Sequence, residues 1–172
     1  LHSRRQVTVR IDRRYITKHE LPPRLIARAL RQTQELLNPA VTTTGPQVRL
    51  KTFIVEDNAT IRENLIGTLE ELTCVHAIGT ADTELEGRQW LTQNQGEWNL
   101  AIVDLFLRQG TGLGVLEACQ GRLAHQKVIV LSNYATTDIR QRCAQLGVDA
   151  VFDKSNEIDD LVSYCLEQCQ PT

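Results

Sequence analysis

Methionine is absent from this chain, even at position 1, and aromatic residues are scarce: two Trp, three Tyr and three Phe in 172 residues. A chain without an initiating methionine reads as processed, as a fragment, or as one begun at an unusual start. Long apolar runs are missing too. None approaches the roughly 20 residues that a membrane helix needs, so no membrane span is expected, and no secretory leader pattern opens the chain. The five cysteines, Cys74, Cys119, Cys143, Cys165 and Cys169, form no CxxC pair and no Cys/His cluster. An odd number so scattered excludes a zinc site and a disulfide framework as expectations, and favours free thiols in a reducing cytoplasm. Cys165 and Cys169 lie one helical turn apart and are expected to be small core or boundary residues.

A hydrophobic fraction of 41% with 23% charged residues is that of a soluble globular protein, long enough for one α/β domain with its own core plus an appendage. The net charge of −2 conceals a division. Residues 1–45 carry nine Arg/Lys against three Asp/Glu, whereas the remainder carries ten against eighteen. The change falls at Asn38-Pro39-Ala40 and Thr42-Thr43-Thr44-Gly45-Pro46, a stretch of breaker residues. Residues 1–46 are therefore expected to be a basic extension and linker, and residues 47–172 the domain.

Within 47–172, short apolar runs alternate with helical periodicities. Val48–Val55, Cys74–Ile78, Leu100–Val103, Val128–Leu131 and Ala150–Phe152 read as strands. Between and after them, helices are expected over 59–72 with Asn58 as cap, from an Asp82 cap to about Asn94, over 113–119, over 135–146 up to Gly147, and finally beyond a Ser155 or Asn156 cap. Runs apolar on both faces imply a parallel sheet covered by helices on both sides. Five βα units with right-handed crossovers predict a doubly wound sheet in the flavodoxin-like order 2-1-3-4-5.

Ligand chemistry in such a sheet collects at the carboxyl ends of the strands, at the switch point between strands one and three. Glu56 and Asp57 end the first strand, Asp104 the third and Ser132 the fourth, while Lys154 follows the fifth. Three carboxylates converging there repel one another unless a cation lies between them, and hard oxygen ligands suit Mg²⁺ or Mn²⁺. A central carboxylate with an amine beside it can form an acyl phosphate, which makes Asp104 the nucleophile candidate, Lys154 its cation and Ser132 a hydrogen-bond donor to phosphoryl oxygen.

These motifs, Phe53-Ile54-Val55-Glu56-Asp57-Asn58, Ile102-Val103-Asp104-Leu105 with Gly112-Leu113, Val130-Leu131-Ser132-Asn133 and Asp153-Lys154-Ser155, resemble those of the receiver domain of bacterial two-component response regulators. The resemblance covers about residues 48–169. It implies a phosphoacceptor, not an enzyme beyond its own phosphorylation and slow dephosphorylation. The donor would be a phosphohistidine on a sensor histidine kinase or a histidine phosphotransfer protein, and the acceptor Asp104. Asp57 and Asp104 would hold Mg²⁺ with the backbone carbonyl of Phe106, Glu56 would act through water, and Ser132 would be the switch hydroxyl. With no output module after Lys154 except a final helix, the chain reads as a stand-alone, chemotaxis-type regulator acting by protein contact, with no sequence-specific DNA binding. The alternative is a degenerate receiver that serves as a phosphorylation-independent interaction module.

Two positions depart from the family pattern. Val151 stands where the switch aromatic is usual. Lys154 is followed by Ser155 where the family commonly has a cis proline, and a cis bond without proline costs about 3 kcal/mol. The basic segment offers a strand at Val7, Val9 and Ile11, and an amphipathic helix after Pro22-Pro23 with Arg24, Arg28 and Arg31 on its polar face. A dimerisation helix, docking on the acidic domain, a nucleic-acid or membrane-surface contact and a disordered arm are all compatible with it.

Overall fold

The computed structural model describes residues 49–169, in which five strands and five helices alternate. They are β1 (Leu50–Val55), α1 (Ala59–Leu72), β2 (Val75–Ala81), α2 (Glu84–Gln93), β3 (Leu100–Val103), α3 (Gly112–Ala118), β4 (Lys127–Ser132), α4 (Thr137–Gln145), β5 (Ala150–Asp153) and α5 (Ile158–Gln168). The strands form one parallel sheet in the order β2-β1-β3-β4-β5, as expected from the sequence. The strand expected at Val7–Ile11, the helix after Pro22-Pro23 and the domain start near Gln47 lie outside the described residues.

Period-two alternation sends neighbouring strand residues to opposite faces, which divides the core in two. On one face Phe53, Val55, Val103 and Val130 pack with Leu91 of α2, Val115 and Leu116 of α3 and Cys143 of α4. On the other, Ile54, Ile102 and Ile129 pack with Leu65 and Leu69 of α1 and Leu161 and Cys165 of α5. All four residues of β3 are buried, which is why that strand reads in the sequence as an unbroken apolar run.

Strand β2 is longer than the expected Cys74–Ile78. Its register with β1 shifts at Ile78, so that Thr52 faces Ala77 while Phe53 faces Gly79. Glycine is required there by an aromatic stack. Trp90 lies parallel to Phe53 with centroids 4.0 Å apart, and a Cβ at Gly79 would run into the Trp90 indole.

Helix caps differ from expectation at two places. Thr83, not Asp82, caps α2 by accepting from the Glu86 amide, because Asp82 is engaged by Arg62 at 2.6 Å. Neither Ser155 nor Asn156 caps α5: both lie in a turn around Asp153, whose carboxylate accepts from the Ser155 amide, and the capping position falls to Glu157. The Lys154–Ser155 peptide is trans.

The cysteine expectation is overturned at two positions. Cys74, just ahead of β2, is joined by a disulfide to Cys169, at the end of α5. The two are 95 residues apart in sequence, and parallel folding against one face of the sheet brings them together. Cys119, Cys143 and Cys165 are free and buried. Burial raises the Cys119 thiol to about 12, with Arg122 opposing weakly, and raises Cys165 to about 12 as well. Cys165 is therefore a protonated core residue rather than a competing thiolate.

Candidate phosphoacceptor and metal site

Strands β1 and β3 are neighbours in register, Val55 opposite Val103, so Glu56-Asp57 and Asp104 emerge side by side at one sheet edge. Each of the three offers a carboxylate oxygen, and these atoms lie within 4.8 Å of one another. Glu56 and Asp104 are buried, with side chains 4% and 6% exposed, while Asp57 stands at the rim at 14%.

Two cations of the chain itself answer this concentration of charge. From beyond β5, Lys154 places Nζ 2.6 Å from Asp104 Oδ2 and 2.5 Å from Glu56 Oε2. Its backbone N–H donates a hydrogen bond to the Ser132 carbonyl at 3.0 Å, so the amine is aimed from a fixed position just past the strand end. Burial, the largest single influence, pulls the ammonium down, but hydrogen bonds to Asp104 and Glu56 and their negative charge outweigh it and hold Lys154 above the usual lysine value. At the rim, Asp57 Oδ2 accepts from the backbone amide of Arg108 at 3.0 Å and lies 3.1 Å from its guanidinium Nε. The sequence pattern pairs Lys154 with Asp104 but carries no sign of the contact to Glu56 or of the one between Asp57 and Arg108, residues 51 positions apart.

Ser132 ends β4, one residue beyond the level of Asp104, since Val103 pairs with Val130. It is fully buried, and its Oγ is a buried side-chain polar atom with no hydrogen-bond partner among the described residues. Such an orphaned hydroxyl is costly unless a ligand completes it. Three hard oxygen donors, a positioned amine and an unpaired hydroxyl fit a divalent cation and a phosphoryl group.

The loop from Leu105 to Thr111 frames the mouth. Phe106 donates its amide to Asp104 Oδ1 at 3.2 Å, and its ring meets Tyr134 edge-on with centroids 5.3 Å apart, both rings being more than half exposed. Glu84, the first residue of α2, latches the far end of this loop. Its carboxylate accepts from the Thr111 amide at 2.8 Å while its own amide donates to the Gln109 carbonyl. Gly110, at φ 81°, permits this approach, because a Cβ there would collide with the Glu84 side chain.

Around half-buried Val151, where the family's aromatic is missing, Arg140 of α4 makes three bonds. It donates to the carbonyls of Ala135 and Val151 and to Glu157 Oε2. The hydrogen bond from Arg140 foremost, and the Asp153 amide after it, hold the Glu157 carboxyl below its usual range. Arg140 thus ties the loop after Ser132 to β5 and to the start of α5. Nothing in the sequence pattern singled it out.

The response regulator receiver domain model matches residues 52–165. The chain belongs to that family. Similar structures include the signal receiver domain of the putative response regulator NarL from Mycobacterium tuberculosis, with a TM-score of 0.62 at 17% identity, covering 74% of this chain and 100% of that one. Another is the BeF3-activated N-terminal receiver domain of RstA from Klebsiella pneumoniae, with a TM-score of 0.61 at 12% identity, covering 70% and 99%. Among curated proteins, the acid tolerance regulatory protein ActR of Rhizobium meliloti (strain 1021) is 31% identical over 68 residues, which is 40% of this receiver chain and 35% of ActR. The match thus spans about a third of that relative. Among the described residues of this receiver, no helix is long and apolar enough to cross a membrane.

Proposed function

We propose that this receiver accepts a phosphoryl group on Asp104 from a phosphohistidine of a sensor histidine kinase or histidine phosphotransfer protein, and signals by protein contact. Asp104 Oδ attacks phosphorus, the P–O bond forms as the P–N bond breaks, and the imidazole leaves with the electron pair. The observation that carries the reading is the Ser132 hydroxyl, buried without a partner at the strand end beside an acid–amine pair. Mg²⁺, or Mn²⁺, would be held by Asp57, Asp104 and the Phe106 carbonyl, with Glu56 through water, and would supply charge neutralisation for the incoming oxygens. Lys154 stays on Asp104 and then pairs with the phosphoryl group, while Ser132 donates to it. The complete reacting set weighs against a degenerate receiver. A cytoplasmic setting and output through a protein partner or a second copy belong to the same proposal.

The experiment is incubation with acetyl phosphate and Mg²⁺ followed by intact mass measurement. A single phosphoryl adduct is expected for the wild type and none for Asp104→Ala. Absence of an adduct on the wild type would overturn the reading.

A second measurement concerns lifetime. Phe106 and Tyr134 stand at the mouth as an aromatic pair and are proposed to shield the acyl phosphate from water. Phe106→Asn and Tyr134→Glu are each expected to hasten phosphate loss about tenfold, corresponding to roughly 1.4 kcal/mol off the hydrolysis barrier. Unchanged lifetimes in both would dismiss the shielding role.

A further inference from the structure

The three carboxylates at the sheet edge are met by two cations of the chain, and these differ in kind. The Lys154 side chain is only 9% exposed and holds Glu56 and Asp104. Arg108 is 75% exposed and, among the described residues, pairs with Asp57, the rim carboxylate, through Nε at 3.1 Å. Its backbone amide occupies the same oxygen at 3.0 Å and would stay there whatever the side chain. The guanidinium is thus a removable charge on a fixed loop. A divalent cation coming to either oxygen of Asp57 meets a positive group already seated on that carboxylate, and the two repel at short range.

Resting on the phosphoacceptor reading above, we propose that Arg108 is a tethered counter-ion that competes with the divalent cation for Asp57 and so sets the metal concentration at which the site becomes reactive. Without metal, the pair partly neutralises the acid cluster. With metal, the guanidinium is displaced into solvent, where its long exposed side chain is accommodated without repacking. Exposed pairs of this type are worth little, so the competition shifts metal affinity by a small factor and leaves the fold unaffected.

The test is titration of the full chain with Mg²⁺ by isothermal calorimetry, with the melting temperature in chelator measured in parallel. Arg108→Gln is expected to bind Mg²⁺ about two- to fivefold more tightly than the wild type, and Arg108→Lys to fall between them. The metal-free melting temperature is expected to fall by no more than about 4 °C, because the pair that is lost is worth only the free energy of that two- to fivefold change, whereas the loss of a loop-organising residue would cost more. The gap in affinity is expected to narrow as salt is raised, because an exposed pair is screened. Equal or weaker binding by Arg108→Gln would overturn the inference. If the acetyl phosphate adduct still formed on Asp104, only this inference would fall; if neither protein bound Mg²⁺ and neither took the adduct, the phosphoacceptor reading would fall with it.

Discussion

Replacing Lys154 with methionine is expected to lower stability at neutral pH by about 3–5 kcal/mol, the cost of stripping a buried ion cluster of one partner. Methionine preserves most of the side-chain volume, so cavity formation contributes little. What remains is a pair of buried carboxylates, Glu56 and Asp104, that share one amine at 2.5 and 2.6 Å in the wild type. For a domain of this size, about 4 °C accompanies each kcal/mol, so the loss is large in a thermal melt. Its pH dependence follows from the direction of the Lys154 shift. An ammonium whose folded value is raised contributes stability in full below the unfolded value of 10.5, and that contribution disappears as pH rises through the folded value. The gap between wild type and Lys154→Met is therefore expected to stay level from neutral pH to about 10 and to close above it. Added Mg²⁺ should recover part of the loss by supplying another cation to the same carboxylates. Equal melting temperatures for the two proteins would contradict the cluster energetics, and the variant should also form no lasting adduct with acetyl phosphate.

Reduction of Cys74–Cys169 is expected to have an effect nearly as large. The bond closes a loop of 95 residues, and constraining the unfolded chain over about that length is worth up to about 4–5 kcal/mol, with 2–4 typical once native geometry is taken into account. A dithiol reductant, oxidised to its own disulfide as the protein bond opens to two thiols, should lower the melting temperature by about 10 °C. The double variant Cys74→Ser, Cys169→Ser should melt at the reduced wild-type temperature and ignore the reductant. A wild-type melt insensitive to reductant would show that the bond contributes nothing. Cys165, buried and held protonated, should take no part in exchange during the measurement.

Local pattern and long-range pairing differ in how far the sequence exposes them. The limits of β3 and α1 are legible because a doubly buried strand must be apolar throughout and because Asn58 is a strong cap, bonded here to the amides of Thr60 and Ile61. Asp57, Asp104, Ser132 and Lys154 are legible for a related reason: a polar residue ending a buried run has to emerge at the sheet edge, and topology gathers those ends. The missed features depend on partners remote in sequence. Asp82 is a sound cap by type, but Arg62 claims it from 20 residues away, and Thr83 caps in its place. Glu84 looks like an ordinary first-turn acid until the loop at Thr111 arrives beside it. Cys74 and Cys169 carry no local signal because proximity between a strand start and a helix end is a property of the packed sheet alone.

The strand order has a further consequence for how the site is held together. The covalent ring between Cys74 and Cys169 contains Asp104, Ser132 and Lys154, whereas Glu56 and Asp57 directly follow β1, outside it. In the sheet, β1 lies between β2 and β3, both of which belong to the ring. Glu56 and Asp57 therefore reach the other three groups on a strand that the disulfide does not tie down, one kept in the middle of the sheet by its pairing with β2 on one side and β3 on the other.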